Sequence, residues 1–219
     1  MQPALRLVRP QPPTEYRAYR RVHPEAGDLL FGSRTAAQLM AFLTLHLDRP
    51  VELAEAEWRT GSSHESVHRT VARLMAAGVL EPGPPGSRRT IVLPRSPSAM
   101  EMRRLLLAIG PVGSRLRWLA DSENGAITEA VAYGSIAAGT EQASSDLDLL
   151  TLGSAGAGRV LRALGELSDV IGREIHVVTY PRERFAAEHA RGLSFPINVI
   201  SSPLIPIVGD IATKAVHAA

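Results

Sequence analysis

The stretch AITEAVAYGSIAAGTEQASSDLDLLTLG, residues 126–153, decides the fold. Residues 126–133 are mostly apolar and read as a buried strand. Gly134-Ser135 follows at once, ten residues separate Ser135 from Asp146, and Asp148 lies two further on, ahead of Leu149 and Leu150 in a second strand. Alternate residues of a strand point the same way, so Asp146 and Asp148 are expected to project together from one face. Two adjacent carboxylates repel each other unless they are hydrated, protonated or neutralised by a cation. A hard, oxygen-seeking ion such as magnesium suits them, because it takes one or two protein carboxylates and completes its shell with phosphate and water. Gly134 leaves room for a triphosphate to approach the backbone. Ser135, expected at a helix N-terminus, offers a hydroxyl and free N–H groups to phosphate.

On the C-terminal side, Val160, Leu161, Leu164, Leu167 and Ile171 are spaced for one face of a helix over 159–171, closed by Gly172. A strand, REIHVVTY, then PRERF and a closing PLIPIVGD complete the region. The sequence strand, Gly134-Ser135, ten residues, Asp146-x-Asp148 on the next strand resembles the polymerase-beta-like nucleotidyltransferase superfamily. It is most similar to the minimal bacterial members, and among those to the subset fused behind a winged helix. The resemblance covers about residues 122–210. It implies a mixed β-sheet with flanking helices, Mg2+ or Mn2+ on Asp146 and Asp148, and an NTP as substrate or ligand bound near Gly134 and Ser135. It also implies transfer of a nucleoside monophosphate to an acceptor hydroxyl as pyrophosphate leaves. Active members carry a third carboxylate on the following strand, and that position aligns here with His176. Glu174, two residues earlier on the same face, is a candidate to supply it. His176 as the base, or Glu174 merely paired with Arg173, are the alternatives.

Toward the N-terminus, residues 98–121 read as a helical linker broken at Gly110-Pro111, whose apolar character suggests a homodimer contact. Before it, Ser33 caps a helix with Leu39, Met40, Leu43 and Leu47 on one face, and a second helix fits Val51 to Thr60. Gly61 makes a turn. Ser62 with Glu65 has capping-box spacing, Ser63 being the alternative cap, and a third helix runs to about Ala77. Val79-Leu80-Glu81 and Arg89 to Leu93 read as a hairpin around PGPPGS. Two helices, a glycine turn, a third helix and a hairpin resemble the winged helix-turn-helix of ArsR- and MarR-like bacterial regulators, over about residues 30–94. That resemblance implies a third helix in the DNA major groove, with Ser63, His64, His68, Arg69 and Arg73 facing double-stranded DNA and Arg88 and Arg89 of the wing on phosphate. His64 and His68 have the i,i+4 spacing of metal ligands, but with no third ligand evident they read as DNA-facing polar positions.

The expected class is therefore α+β. The expected division is a loose Pro/Arg-rich arm (1–28), a winged helix-turn-helix (29–97), the linker (98–121) and a nucleotidyltransferase-like domain (122–219). Residues 1–97 hold 13 Arg against 9 Asp and Glu, whereas residues 98–219 hold 11 Lys and Arg against 13 Asp and Glu, so a polyanion would meet the front half. Cysteine is absent, which excludes disulfides and thiolate metal sites. With neither a leader-like nor a membrane-length apolar run, a cytoplasmic, non-membrane protein is expected. The functional expectation is a DNA-addressed nucleotidyltransferase. The alternative is a transcriptional regulator, or an antitoxin-like repressor with a toxin-like protein partner, whose rear domain is a non-catalytic nucleotide sensor or scaffold.

Overall fold

The structure is a computed structural model that describes residues 14–17, 25–84, 89–122 and 126–209. Arg88, expected at the wing tip, the second half of PGPPGS and most of the arm lie outside the described residues. No helix among the described residues is long and apolar enough to cross a membrane.

The front half opens with α1 (Ala26–Leu30) and α2 (Arg34–Thr44), the latter capped by the Ser33 hydroxyl, which accepts from the Ala36 amide at 3.4 Å. Next come β1 (Val51–Glu52), α3 (Leu53–Thr60), α4 (His64–Ala76), β2 (Glu81–Pro82) and β3 (Thr90–Val92). The second helix thus starts two residues later than its pattern suggested, because Val51 and Glu52 pair with Ile91 and Thr90. The resulting sheet is antiparallel in the order β1-β3-β2. Gly61, in the left-handed region at φ 59°, makes the turn from α3 to α4. The cap of α4 is Ser63, accepting from the Ser66 amide at 3.3 Å; Ser62 instead bonds Thr35, and Glu65 pairs with Arg69, so the capping box does not form. Leu39, Met40, Phe42, Leu43, Val67, Val71 and Ile91 meet in the first core.

Two helices, α5 (Pro97–Ile109) and α6 (Pro111–Ser122), are separated by extended Gly110, where a break was predicted. They lie inside the fold. Ala99 and Leu106 belong to the first core, and Leu107, Val112, Leu116 and Leu119 to the second, so these apolar residues are used within the chain, while Leu105 is exposed. Part of the stretch expected as a loose arm is also packed: Tyr16 is buried, donates to Glu25 at 3.0 Å and lies 3.7 Å beneath the Arg115 guanidinium.

The rear half runs β4 (Glu129–Tyr133), α7 (Gly134–Ala138), β5 (Leu147–Leu152), α8 (Ala157–Leu164), α9 (Leu167–Ile171), β6 (Ile175–Tyr180), α10 (Arg182–Ala190), α11 (Ser194–Ser201) and β7 (Ile205–Val208). The sheet is mixed, ordered β6-β5-β4-β7, with β5 and β6 parallel and the other pairs antiparallel. The single helix expected over 159–171 is two, interrupted at Gly165-Glu166, where buried Arg115 takes the Ala163 carbonyl at 2.9 Å and pairs with Glu166. Leu161 accordingly points outward, and Ala163 takes the inward place. Ala130, Ala132, Leu147, Leu149 and Ile175 face the core beneath α6, α8 and α9. Val131, Leu150 and Leu152 face Phe185 and Val199 on the other side.

Candidate functional site

Three strand ends converge. Tyr133 pairs with Asp148 across β4 and β5, and Asp148 pairs with His176 across β5 and β6. Asp148 and His176 therefore share the face of Val131, Leu150 and Val178. Asp146, just ahead of β5, and Glu174, just ahead of β6, join them, which brings together the three carboxylates and the histidine singled out in this region. Gly134 ends β4 at φ 73°, a left-handed conformation, and a Cβ there would collide with Oδ2 of Asp148. The dipeptide is thus glycine for two reasons: backbone conformation and the close approach of a carboxylate. Ser135 sits half-buried in the first turn of α7.

The charges within this corner are only partly matched. His176 Nδ1 lies 3.4 Å from Asp146 Oδ2 and 3.9 Å from Asp148 Oδ1, and His176 Nε2 lies 4.0 Å from Glu174 Oε1. Burial raises the Asp148 carboxyl above the usual carboxylate range; His176 opposes the shift and Asp146 adds to it. The Tyr133 hydroxyl is likewise raised, by burial and then by the negative charge of Asp148. Loss of water is the larger cause of the Asp148 shift, and nearness to Asp146 the smaller one. Donor atoms of Asp146, Glu174 and His176 lie within 4.8 Å of one another, so the corner suits a divalent cation. Glu174 is its outermost member, with the side chain 75% exposed.

Two features of this corner escaped sequence reading. Arg173, considered only as a partner for Glu174, is buried and donates to the carbonyls of Gln142 (2.5 Å), Ala143 (3.2 Å) and Ser145 (3.0 Å). It thereby frames the loop that delivers Asp146. Its other contacts, Leu45 O at 3.0 Å and Asp48 at 2.5 Å, belong to the front half, and no local pattern could have announced them. The second is a half-buried aromatic wall on the carboxylate face: Tyr180 stacks on Phe195 at 5.7 Å, and Tyr133 meets Phe195 edge-on at 6.2 Å.

In the front half, Ser63, His64, Arg69 and Arg73 are exposed on α4, His68 is half-buried, and Arg89 is exposed beside β3. These side chains are not all free-standing. Ser63 caps the helix, Arg69 bonds Glu65 at 3.2 Å, and His64 Nδ1 lies 2.7 Å from Glu57 of α3.

A family model described as "Nucleotidyltransferase domain" matches residues 115–200, from within α6 to the last turn of α11, and so takes in Gly134, Ser135, Asp146, Asp148, Glu174 and His176. No curated protein matches the chain, and no solved structure does. The mixed sheet with its flanking helices is consistent with a nucleotidyltransferase fold.

Proposed function

We propose that the rear half binds an NTP with magnesium and transfers its nucleoside monophosphate to an acceptor hydroxyl, and that the front half is a winged helix-turn-helix that addresses this activity to DNA in the cytoplasm. The observation that carries the reading is the approach of Gly134 to Asp148, with Asp146 alongside. It is a left-handed backbone corner where a Cβ would collide with the Asp148 carboxylate, which burial raises above the usual range. Asp146 and Asp148 would hold the metal, which when bound neutralises phosphate charge and favours departure of pyrophosphate. Gly134 admits the phosphates to the backbone, and the Ser135 hydroxyl donates to them. The acceptor oxygen forms the new bond to the α-phosphorus as the bond to pyrophosphate breaks, and the acceptor proton passes to Glu174.

One observation favours the alternative of a regulator that senses nucleotide without turning it over. His176, not a carboxylate, is in register with Asp148. An imidazole there holds magnesium less well than a carboxylate would.

Calorimetry with Mg–NTP on the wild type and on Asp146→Ala/Asp148→Ala tests the shared premise. Binding lost in the double variant supports a metal–nucleotide site; a wild type that binds none of the four NTPs overturns it. Pyrophosphate release then separates enzyme from sensor. Loss of turnover in Glu174→Gln with Mg–NTP binding intact is expected for the enzyme.

The DNA-binding part rests on α4, whose exposed Arg69 and Arg73 follow a glycine turn and precede the β2–β3 hairpin. Two copies on a two-fold operator would complete this reading.

A further inference from the structure

The front half carries a second constellation that the nucleotide reading does not use. His64 and His68 stand one helical turn apart on α4, and α3 brings Glu57 to them across the Gly61 turn. Glu57 Oε1 is their common focus, 2.7 Å from His64 Nδ1 and 3.8 Å from His68 Nε2. The two rings lie 3.9 Å apart, tilted by 39°. One donor atom from each residue falls within 4.8 Å of the other two.

We propose that Glu57, His64 and His68 form a binding site for a divalent transition-metal ion of the zinc class. A tetrahedral zinc shell with bonds of 2.0–2.2 Å sets its donors roughly 3.3 Å apart, inside the range already present, so closure needs side-chain shifts of only about an ångström. The side chains of His68 and Glu57 are 30% and 26% exposed, whereas His64 is 68% exposed and has the freedom to make that shift. Two imidazoles with one carboxylate select zinc, copper or nickel over magnesium, which prefers an all-oxygen shell. The donor set is thus distinct in kind from the carboxylate pair of the rear half. The positive end of α4 opposes a cation here, and the Glu57 carboxylate offsets it. Three protein ligands leave a fourth position for water. The bound ion would cross-link α3 to the first two turns of α4 and engage two of the side chains proposed to face DNA. The metal site itself stands whether or not α4 binds DNA.

The test is a cobalt(II) titration of the full chain followed by visible absorption, with zinc as competitor, in an Asp146→Ala/His176→Ala background that removes the other candidate cluster. The expected result is a four-coordinate cobalt spectrum abolished by zinc, and a dissociation constant raised roughly tenfold or more in Glu57→Gln and in His64→Gln/His68→Gln. Unchanged cobalt binding in the double-histidine variant overturns the proposal. So does a folded background chain that takes up no cobalt at about 1 mM. Should the background variant fail to fold, imidazole proton spectra of the wild type decide. Zinc-induced shifts at both His64 and His68 support the site, and shifts confined to other histidines overturn it.

Discussion

At the scale of single residues, chemistry and stability meet in two places. Gly134 and Gly192 both occupy the left-handed region, at φ 73° and 78°, but only Gly134 has a side chain pressed against it, Asp148. A Cβ in that conformation costs about 1–2 kcal/mol at either position. Gly192→Ala should therefore lose stability and keep Mg–NTP binding, whereas Gly134→Ala should lose both. Wild-type nucleotide affinity in Gly134→Ala would remove the glycine from the site. The second place is His46. It is buried, Nε2 lies 2.8 Å from the Ile171 carbonyl, and Nδ1 finds no hydrogen-bond partner among the described residues. Burial lowers its pKa from 6.5 to about 4 against the opposing bond to Ile171, and Arg173 lowers it further. Below pH 6.5 the unfolded chain takes up a proton that the native chain refuses, so stability falls as pH drops toward 4. Across that interval the loss attributable to His46 is about 3 kcal/mol, and above pH 6.5 it vanishes. Urea unfolding at stepped pH should show this slope in the wild type and a shallower one in His46→Gln; identical slopes would sink the assignment.

At the scale of elements, α4 is a helix whose ends and faces have separate tasks. Ser63 supplies its cap, Val67 and Val71 supply its buried face, and Arg69 and Arg73 stand exposed. Ser63→Ala should cost about 1 kcal/mol of stability through the lost cap. Arg69→Ala and Arg73→Ala should leave stability nearly unchanged and weaken DNA binding, each reducing the slope of log affinity against log salt by about 1 if it meets phosphate. Unchanged affinity and slope in both variants would take α4 out of the interface. The helix was readable because amphipathic spacing and a terminal glycine agree over its length, while its cap proved to be Ser63, the alternative to the Ser62 capping box. The helix over 159–171 was misread because its break at Gly165 was passed over as one glycine in an apolar period, and the contact of Arg115 there comes from forty-eight residues before the carbonyl it captures.

At the scale of the molecule, buried arginines join what the sequence reads as separate parts. Arg103, with no exposed surface, donates to Thr44 O at 2.6 Å, to Ile136 O at 2.6 Å and to the Glu141 carboxylate at 2.6 and 3.1 Å. Burial alone would raise Glu141, but the hydrogen bonds and charge of Arg103, with Arg95, hold it below the usual range. Arg103→Met leaves that carboxylate buried with a much reduced counter-charge and should destabilise the fold by about 3–5 kcal/mol; Arg103→Met/Glu141→Leu should recover much of the loss. A cost under about 1 kcal/mol in the single variant, measured by urea unfolding, would contradict this. Arg173 makes the corresponding link at the site, tying the loop before Asp146 to Leu45 and Asp48. Both arginines, with His46 on the Ile171 carbonyl, offer routes between the proposed nucleotide and DNA sites; a route through Arg173 predicts that saturating Mg–NTP alters DNA affinity in the wild type and not in Arg173→Met.

The amino-acid sequence by itself determined the strand–glycine–carboxylate corner, the cap and core face of the main helices, and the break at Gly110. Each of these is written in residues close along the chain, where periodicity and backbone preference act. Tertiary structure alone decided that Arg173 frames the Asp146 loop, that Arg115 reaches Ala163 and Glu166 at the break after α8, and that Glu57 meets His64 and His68. Those outcomes depend on long side chains reaching polar atoms in other elements, and in the two arginine cases across dozens of residues. An arginine's burial is set by the carbonyls and carboxylates the fold gathers around it, which leave no periodic mark in its neighbours.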